Sequence, residues 1–542
     1  MSKFNKSTSK TQLAVCIAAG IFTLQFSLAT NAAPIKAKRA HDFVDTICFN
    51  VHVGYDDTPY GSQYPLLKQR LVELGVRHIR DGDTKSWGVR RLQELADLGI
   101  KTTFIMGPRA GLVPNQTYWR NGSGQTVVDF IKNEIGVDAV DAVEITNEID
   151  LNIDNHRWYA NDTQSLSRDP ASSRYWVSYI RALTKDTWTA INNDPATRDI
   201  KVIGPSLGGN YDYGRKPPLG DLSAVVDWGN VHSYPNGGNP YNYPFAYNTI
   251  LKYYYTGNFP AVNIDENPFT QDMFAAIYPG KPLAATETGY FTTRGHRGLT
   301  EKAHGQYMPR LFLEYFRKGF VRTCAYEFLD QRMTSNSEDN YGIVRTDYSP
   351  KPAFTALKNM ISLLEDNTGS AATFTPASLD YTISVNPPAG YNRTNYVHSV
   401  LMQKANGKFY LTIWHEIANG DISSTPTRDI DPPSMPTTLA FATPIGSSVQ
   451  MHSWDDAGFM TTSVKTVSNG QFSTQVHERF KVFEITPTAI PLNGAKSLVR
   501  SRNGNKVQGG GLNSGQSQPI STVAASTAAA ALRSDRKMEA NR

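Results

Sequence analysis

Residues 42 to 366 hold eight short runs of strand character, each followed by a stretch with helical spacing of apolar residues. The first four runs are ICFNVHV (47–53), VRHIRDG (76–82), TTFIMGP (102–108) and AVEITNE (142–148). The other four are KVIGPS (201–206), WGNVHSY (228–234), LAATETG (283–289) and RTCAYEF (322–328). Intervening stretches such as YPLLKQRLVELG and WGVRRLQELADLG are amphipathic and close on glycine, the residue favoured at a left-handed helix C-cap. Strands that alternate with helices pair in parallel. Eight of them suffice to close a (β/α)8 TIM barrel. An open doubly wound sheet would carry a glycine-rich phosphate turn after an early strand, and neither G-x-G-x-x-G nor the Walker lysine motif is present. The expected fold class is α/β, with the barrel over 42–366.

Beyond residue 366 the pattern changes. TGSAATFTPAS reads as a hinge, and alternating runs such as YVHSVLMQ, KFYLTIWHE, VQMHSW and RFKVFEITP follow it. Asn-Gly pairs at 406–407, 419–420 and 469–470 mark hairpin turns between them. This spacing predicts a small antiparallel β-sandwich over 370–487. Residues 488–542 are rich in Gly, Ser, Asn, Gln and Ala and have little to bury, which predicts a disordered tail.

Residues 1–32 read as a signal peptide. Lys3, Lys6 and Lys10 precede the apolar stretch LAVCIAAGIFTLQFSLA, and the small residues of TNAA then offer cleavage near Ala32 or Ala33. The alternative is an uncleaved anchor, since the stretch approaches spanning length. Cleavage would leave a secreted protein, extracellular or periplasmic, with no stable membrane association.

The formal net charge of +5 belongs to the two ends. Residues 488–542 hold eight Lys/Arg against two Asp/Glu, and residues 1–32 add three lysines, which leaves 33–487 mildly acidic. A nucleic-acid partner would need a basic face on the folded domain itself, and none is present. Removal of Cys16 with the leader leaves Cys48 and Cys324, too few for a disulfide scaffold or a four-cysteine zinc site. Both lie in apolar runs, so buried free thiols are expected, with a single bridge as the alternative.

A barrel of this kind places its active site at the C-terminal ends of the strands. The fourth run ends on Asn147-Glu148 and the seventh reaches Glu287. A carboxylate at the mouth of an apolar strand is costly unless it is partnered. Two carboxylates across one cleft are the minimum apparatus for glycosidic cleavage, one giving a proton to the leaving oxygen, the other attacking the anomeric carbon or activating water. Arg80 ends the second run, where a guanidinium would keep a neighbouring carboxylate ionised. The competing reading ties Arg80 to Asp81 or Asp83. His232 and Tyr234 share a face at the end of the sixth run, as Asn50 and His52 do at the end of the first. A buried histidine satisfied by a neighbour is the competing reading of His232.

These positions resemble those of the retaining glycoside hydrolases of clan A, which carry an Asn-Glu pair at the end of strand 4 and a Glu at the end of strand 7. Families 5 and 39 are the nearest in pattern. The resemblance covers about 42–366 and implies that Glu148 is the acid/base and Glu287 the nucleophile. It further implies that Asn147 binds the sugar hydroxyl beside the anomeric centre and that Arg80 and Tyr234 steady Glu287. It implies a carbohydrate substrate, with no metal or organic cofactor. Many members place a sugar-stacking Trp at the end of strand 8. Here AYEFLDQ supplies Tyr326, Glu327 and Phe328, and Glu327 is expected at the substrate hydroxyls.

Two other function classes compete. GPSLG (204–208) matches the G-x-S-x-G nucleophile elbow and would make Ser206 an esterase nucleophile, but GGNYDYGRKPPLG cannot supply the helix that must follow. A catalytically inactive carbohydrate-binding barrel is the third reading, disfavoured by the presence of both glutamates. WHEIAN (414–419) begins like a zinc-protease motif and lacks its second histidine. The aromatic segment PYNYPFAYNTILKYYYTGNF is expected to pack mostly against the barrel, with one or two rings meeting sugar. The sugar, the linkage, endo or exo action and the oligomeric state are not written in these motifs.

Overall fold

A computed structural model of the protein describes residues 33–488 apart from 109–110, 116–124, 152, 159–162, 209–218, 236–276, 293–297, 392–393 and 423. The expected signal peptide, the expected disordered tail beyond 488 and the aromatic segment between the sixth and seventh strands lie outside the described residues.

The eight expected strands are present: β1 (Ile47–Asn50), β2 (His78–Asp81), β3 (Lys101–Met106), β4 (Val140–Ile145), β5 (Lys201–Ile203), β6 (Gly229–His232), β7 (Leu283–Thr288) and β8 (Arg322–Ala325). They form one sheet in the order β6-β7-β8-β1-β2-β3-β4-β5, and every pairing in it is parallel. A parallel bridge from Ile203 to Trp228, reinforced by Gly204 N donating to Trp228 O at 2.9 Å, links β5 to the residue before β6. The sheet thus nearly closes on itself as a barrel.

Helices α1 (Tyr64–Leu74), α2 (Ser86–Asp97), α3 (Trp176–Asn193), α4 (Glu301–Arg317) and α5 (Pro352–Leu364) carry the apolar stripes that the sequence predicts. Leu67, Leu71 and Leu74 of α1 are buried one helical turn apart, and the helix stops at Gly75, whose φ of 79° suits the residue without a Cβ.

The first and last barrel strands are joined covalently. Cys48 and Cys324 are register partners in β1 and β8 and form a disulfide. The expected burial is found, both cysteines being 0 % exposed, but the expected free thiols are not. Facing positions on neighbouring strands bring the two sulfurs together, and that register arises only when the barrel closes.

The N-terminal floor of the barrel holds an ion-pair network. His78 Nδ1 lies 2.6 Å from Asp141 Oδ2, Arg322 Nη1 donates to the same oxygen at 2.8 Å, and His78 Nε2 lies 3.0 Å from Asp45. Burial opposes the charge on Asp45, yet His78, Arg322 and Arg77 bring its carboxyl down to about 2.

The C-terminal region is antiparallel. A three-stranded sheet (Tyr381–Val385, Met435–Phe441, Gln471–Val476) and a six-stranded sheet containing Val397–Gln403, Phe409–His415 and Lys481–Ile485 contribute to one apolar cluster with Leu411, Leu439, Phe472 and Phe483. The segment before the barrel belongs to this region: Ile35–Lys36 pairs with Ser378–Leu379, and Lys38–Arg39 joins Val397–Gln403 in parallel. Fully buried Arg310 of α4 ties the barrel to it, donating to His415 O at 2.9 Å and to Asn419 Oδ1 at 3.0 Å.

Candidate active site

Arg80 is the centre of the C-terminal face. Its guanidinium donates to both oxygens of Glu144, to Asn50 Oδ1 at 2.7 Å, to Asn147 Oδ1 at 2.7 Å and to Glu287 Oε1 at 2.7 Å. Three strands, β1, β4 and β7, therefore deliver side chains to one buried cation carried by β2. Asp81 is not its partner, because that carboxylate accepts from the backbone N–H groups of Val53, Gly82 and Asp83 instead.

Glu287 takes a second hydrogen bond from Tyr234 Oη at 2.8 Å, to Oε2. Burial disfavours its charge, but His232, Arg80 and the Tyr234 hydroxyl together hold the carboxyl below the usual glutamate range. Glu148 lies opposite. Its Oε1 is 2.8 Å from His232 Nδ1. One carboxylate oxygen of Glu148, one of Glu287 and a His232 ring nitrogen all lie within 4.8 Å of one another. Both glutamates line a cavity of about 650 Å³, together with Asn50, Arg80, Asn147 and Tyr234.

The backbone beneath Glu148 is unusual. Thr146 and Glu148 have φ values of 44° and 42°, a region that non-glycine residues seldom enter, least of all a β-branched one. Strain of this kind persists where surrounding contacts over-determine it. Here Thr146 N donates to Met106 O at 2.7 Å, and the Glu148 carboxylate rests on Gly208. A Cβ at position 208 would sit 2.3 Å from Glu148 Cδ. Glycine there is a condition for the position of the carboxylate.

His232 is buried behind both glutamates. Burial alone would lower its imidazole, but the Glu287 charge and contacts with Glu144 and Glu148 push it up to about 9. All six candidate residues (Arg80, Asn147, Glu148, His232, Tyr234 and Glu287) therefore meet at one site. Three groups escaped the sequence reading. Glu144 looked like part of an apolar run, yet it is 0 % exposed, and Arg80 brings its carboxyl to about 2 against the cost of burial. The only signal was a charged residue inside an otherwise apolar strand run, where it needs a partner. Thr286, whose hydroxyl lies 3.0 Å from His232 Nε2, gave no local signal, and Gly208 stood out only as the last glycine of GPSLG.

Two expectations change. Glu327 does not face the cavity. It is 1 % exposed, accepts from Gln331 Nε2 at 3.2 Å and lies 3.3 Å from His52 Nε2, so it stands behind the wall. Ser206 is fully buried and donates to Glu144 Oε1 at 3.2 Å, and among the described residues no histidine hydrogen-bonds it. A nucleophile elbow needs an exposed serine.

Solved structures similar to the chain include glycoside hydrolases. One is a family 39 enzyme from the gut symbiont Bacteroides cellulosilyticus, 15% identical, with 82% of each chain covered and a TM-score of 0.47. Another is a family 39 β-xylosidase from Caulobacter crescentus, 12% identical over 84% of this chain and 98% of that one, TM-score 0.43. A family 30 endoxylanase from Clostridium papyrosolvens is 11% identical over 84% and 98%, TM-score 0.41. No family model and no curated protein matches the chain.

Proposed function

We propose that the protein is a secreted retaining β-glycoside hydrolase that cleaves O-glycosidic bonds of an oligo- or polysaccharide by double displacement. The observation that supports this reading is that one carboxylate oxygen of Glu148 and one of Glu287 lie within 4.8 Å of each other at one cavity. Retaining enzymes hold their two carboxyls about 5–5.5 Å apart, whereas inverting ones leave about 6.5–9.5 Å for an intervening water.

The roles follow from the environments. Glu287, kept anionic by Arg80, Tyr234 and His232, attacks the anomeric carbon. Glu148 gives its proton to the departing oxygen, and the glycosyl–enzyme ester forms on Glu287. Water then enters, loses a proton to Glu148 and releases the sugar from Glu287 with its original configuration. Asn147, its Oδ1 held by Arg80, keeps its amide N–H groups for the hydroxyl next to the anomeric centre. Export is supported by the Cys48–Cys324 disulfide, a bond that persists in oxidising compartments. Among the described residues no helix is long and apolar enough to cross a membrane.

The test is stereochemical. An aryl β-glycoside followed by NMR during its first turnovers yields the β-anomer if the reading holds. Initial release of the α-anomer overturns it.

A further inference from the structure

Beyond the reacting carbon, one wall of the cavity is built around an exposed aromatic ring that the double displacement does not use. Tyr55 follows β1 and is 47 % exposed, although it lines the same cavity as Glu287. One face of its ring stacks on His52, with centroids 4.4 Å apart and planes 9° from parallel. Among the described residues no ring covers the other face.

The backbone that carries this ring is held in place. The carbonyl of Tyr55 accepts from Thr58 N at 3.2 Å, Thr58 Oγ1 at 2.9 Å and Gly61 N at 3.1 Å, while its own N–H donates to His52 O at 2.9 Å. His52, the floor of the stack, has the buried carboxylate of Glu327 3.3 Å from its Nε2. A large ring ordered this firmly and left open on one side gains nothing for the fold from its outer face. It is pre-organised for a flat apolar partner, and ordering it before binding removes an entropic cost of recognition. Lys85 lines the same wall. Its ammonium donates to Gly54 O at 2.9 Å and keeps further N–H groups for hydroxyl oxygens. An open aromatic face beside spare hydrogen-bond donors matches a sugar ring, whose C–H face is apolar and whose rim is polar.

We propose that Tyr55 is the platform of a second sugar subsite, on the glycone side of the scissile bond. The side follows from the sheet order. Glu148 protonates the leaving oxygen, so the leaving group lies toward β4, whereas Tyr55 follows β1, with β2 and β3 in between. The preferred substrate then extends at least one sugar beyond the residue that Glu287 attacks. This proposal rests on the glycosidase reading and adds to it the length and direction of the substrate.

The test compares 2-chloro-4-nitrophenyl β-glucoside with the β-cellobioside, and the β-xyloside with the β-xylobioside, on the full chain. Within the pair that turns over faster, wild type favours the disaccharide. Tyr55→Ala lowers kcat/KM for the disaccharide about tenfold and for the monosaccharide less than about twofold, while Tyr55→Phe stays near wild type. Calorimetry with free cellobiose and xylobiose gives a second readout, in which binding is lost in Tyr55→Ala and kept in Tyr55→Phe. Equal losses on both members of the pair, or no loss on either, overturn the subsite and leave the glycosidase reading standing. A wild type inert on all four glycosides that binds neither disaccharide overturns the subsite. Disaccharide binding that depends on Tyr55 without turnover overturns the catalytic reading alone.

Discussion

His232 lies between Glu148 and Thr286, with Nδ1 2.8 Å from the carboxylate and Nε2 3.0 Å from the hydroxyl. The Thr286 hydroxyl donates its proton to Asn230 Oδ1 at 2.8 Å, so it accepts from His232 Nε2–H. That fixes one proton on Nε2. A second proton is then shared between Nδ1 and Glu148, giving either an imidazolium beside a carboxylate or a neutral ring beside a carboxylic acid. Those are the two states that the proposed acid/base role requires of Glu148. Replacing His232 by Ala should lower kcat roughly 100-fold, with KM much less affected, and should change the pH–rate profile. Stability supplies a separate check. The folded-state imidazole is raised from 6.5 to about 9, so its stabilising share is complete below about pH 6.5 and lost as pH rises through 9. Wild type should therefore lose Tm relative to His232→Ala over that window. Parallel Tm curves would remove His232 from the charge network.

Acid should act at two places remote from each other. Glu144 and Glu314 are buried, and both carboxyls are held at about 2 against the cost of burial, Glu144 by Arg80, and Glu314 by His398 and Arg317. Groups depressed in this way stabilise the fold fully above about pH 4.5 and lose that share as pH falls toward 2. Each contributes roughly 3 kcal/mol over the window. Thermal melts should fall steeply between pH 4.5 and 2, and Glu314→Gln should flatten the fall while lowering Tm at neutral pH. An unchanged slope in that variant would show that Glu314 does not carry the effect.

The Cys48–Cys324 bond closes a loop of 276 residues across the seam between β1 and β8. A bridge of this length stabilises mainly by restricting the unfolded chain, by roughly 2–5 kcal/mol. Replacing both cysteines by Ala should lower the denaturation midpoint and leave activity near wild type at 25 °C, because neither sulfur touches the glutamates. Since both are fully buried, dithiothreitol should have little effect on the native enzyme and a large one on refolding. Rapid inactivation of the folded protein by the reductant would contradict this.

How far the site was legible follows from what each residue reports about itself. Glu148, Glu287, Arg80, Asn147, His232 and Tyr234 were readable because each sits at the end of a recognisable strand, and the barrel gathers strand ends. Glu144 was not, because its neighbours Val143 and Ile145 make the run look apolar throughout, and its need for a counter-ion is met by Arg80, 64 residues away. The disulfide was hidden for a related reason: each cysteine lies in an unremarkable strand, and only the closing register sets one opposite the other. Gly208 was missed because its role is to leave room, which leaves no chemical mark. The Glu327 expectation placed a carboxylate in the cleft from its strand-end position, but Gln331 and His52 draw it behind the wall.

The two glutamates should differ in what their loss leaves behind. If Glu287 is the nucleophile, as proposed, Glu287→Ala can form no glycosyl ester, and turnover of every substrate should stop. Glu148→Ala keeps that nucleophile, with Arg80 and Tyr234 still on it. It should lose cleavage of natural glycosides, whose leaving groups need a proton. An aryl glycoside with a strongly acidic phenol needs none, so its first step should survive. The second step then lacks a base, and the ester should accumulate, giving a burst of phenol followed by a slow phase. Azide needs no deprotonation to attack, so adding it should speed the slow phase and yield a glycosyl azide of retained configuration. A burst in Glu287→Ala, or Glu148→Ala inert toward activated substrates and unmoved by azide, would reverse the two roles.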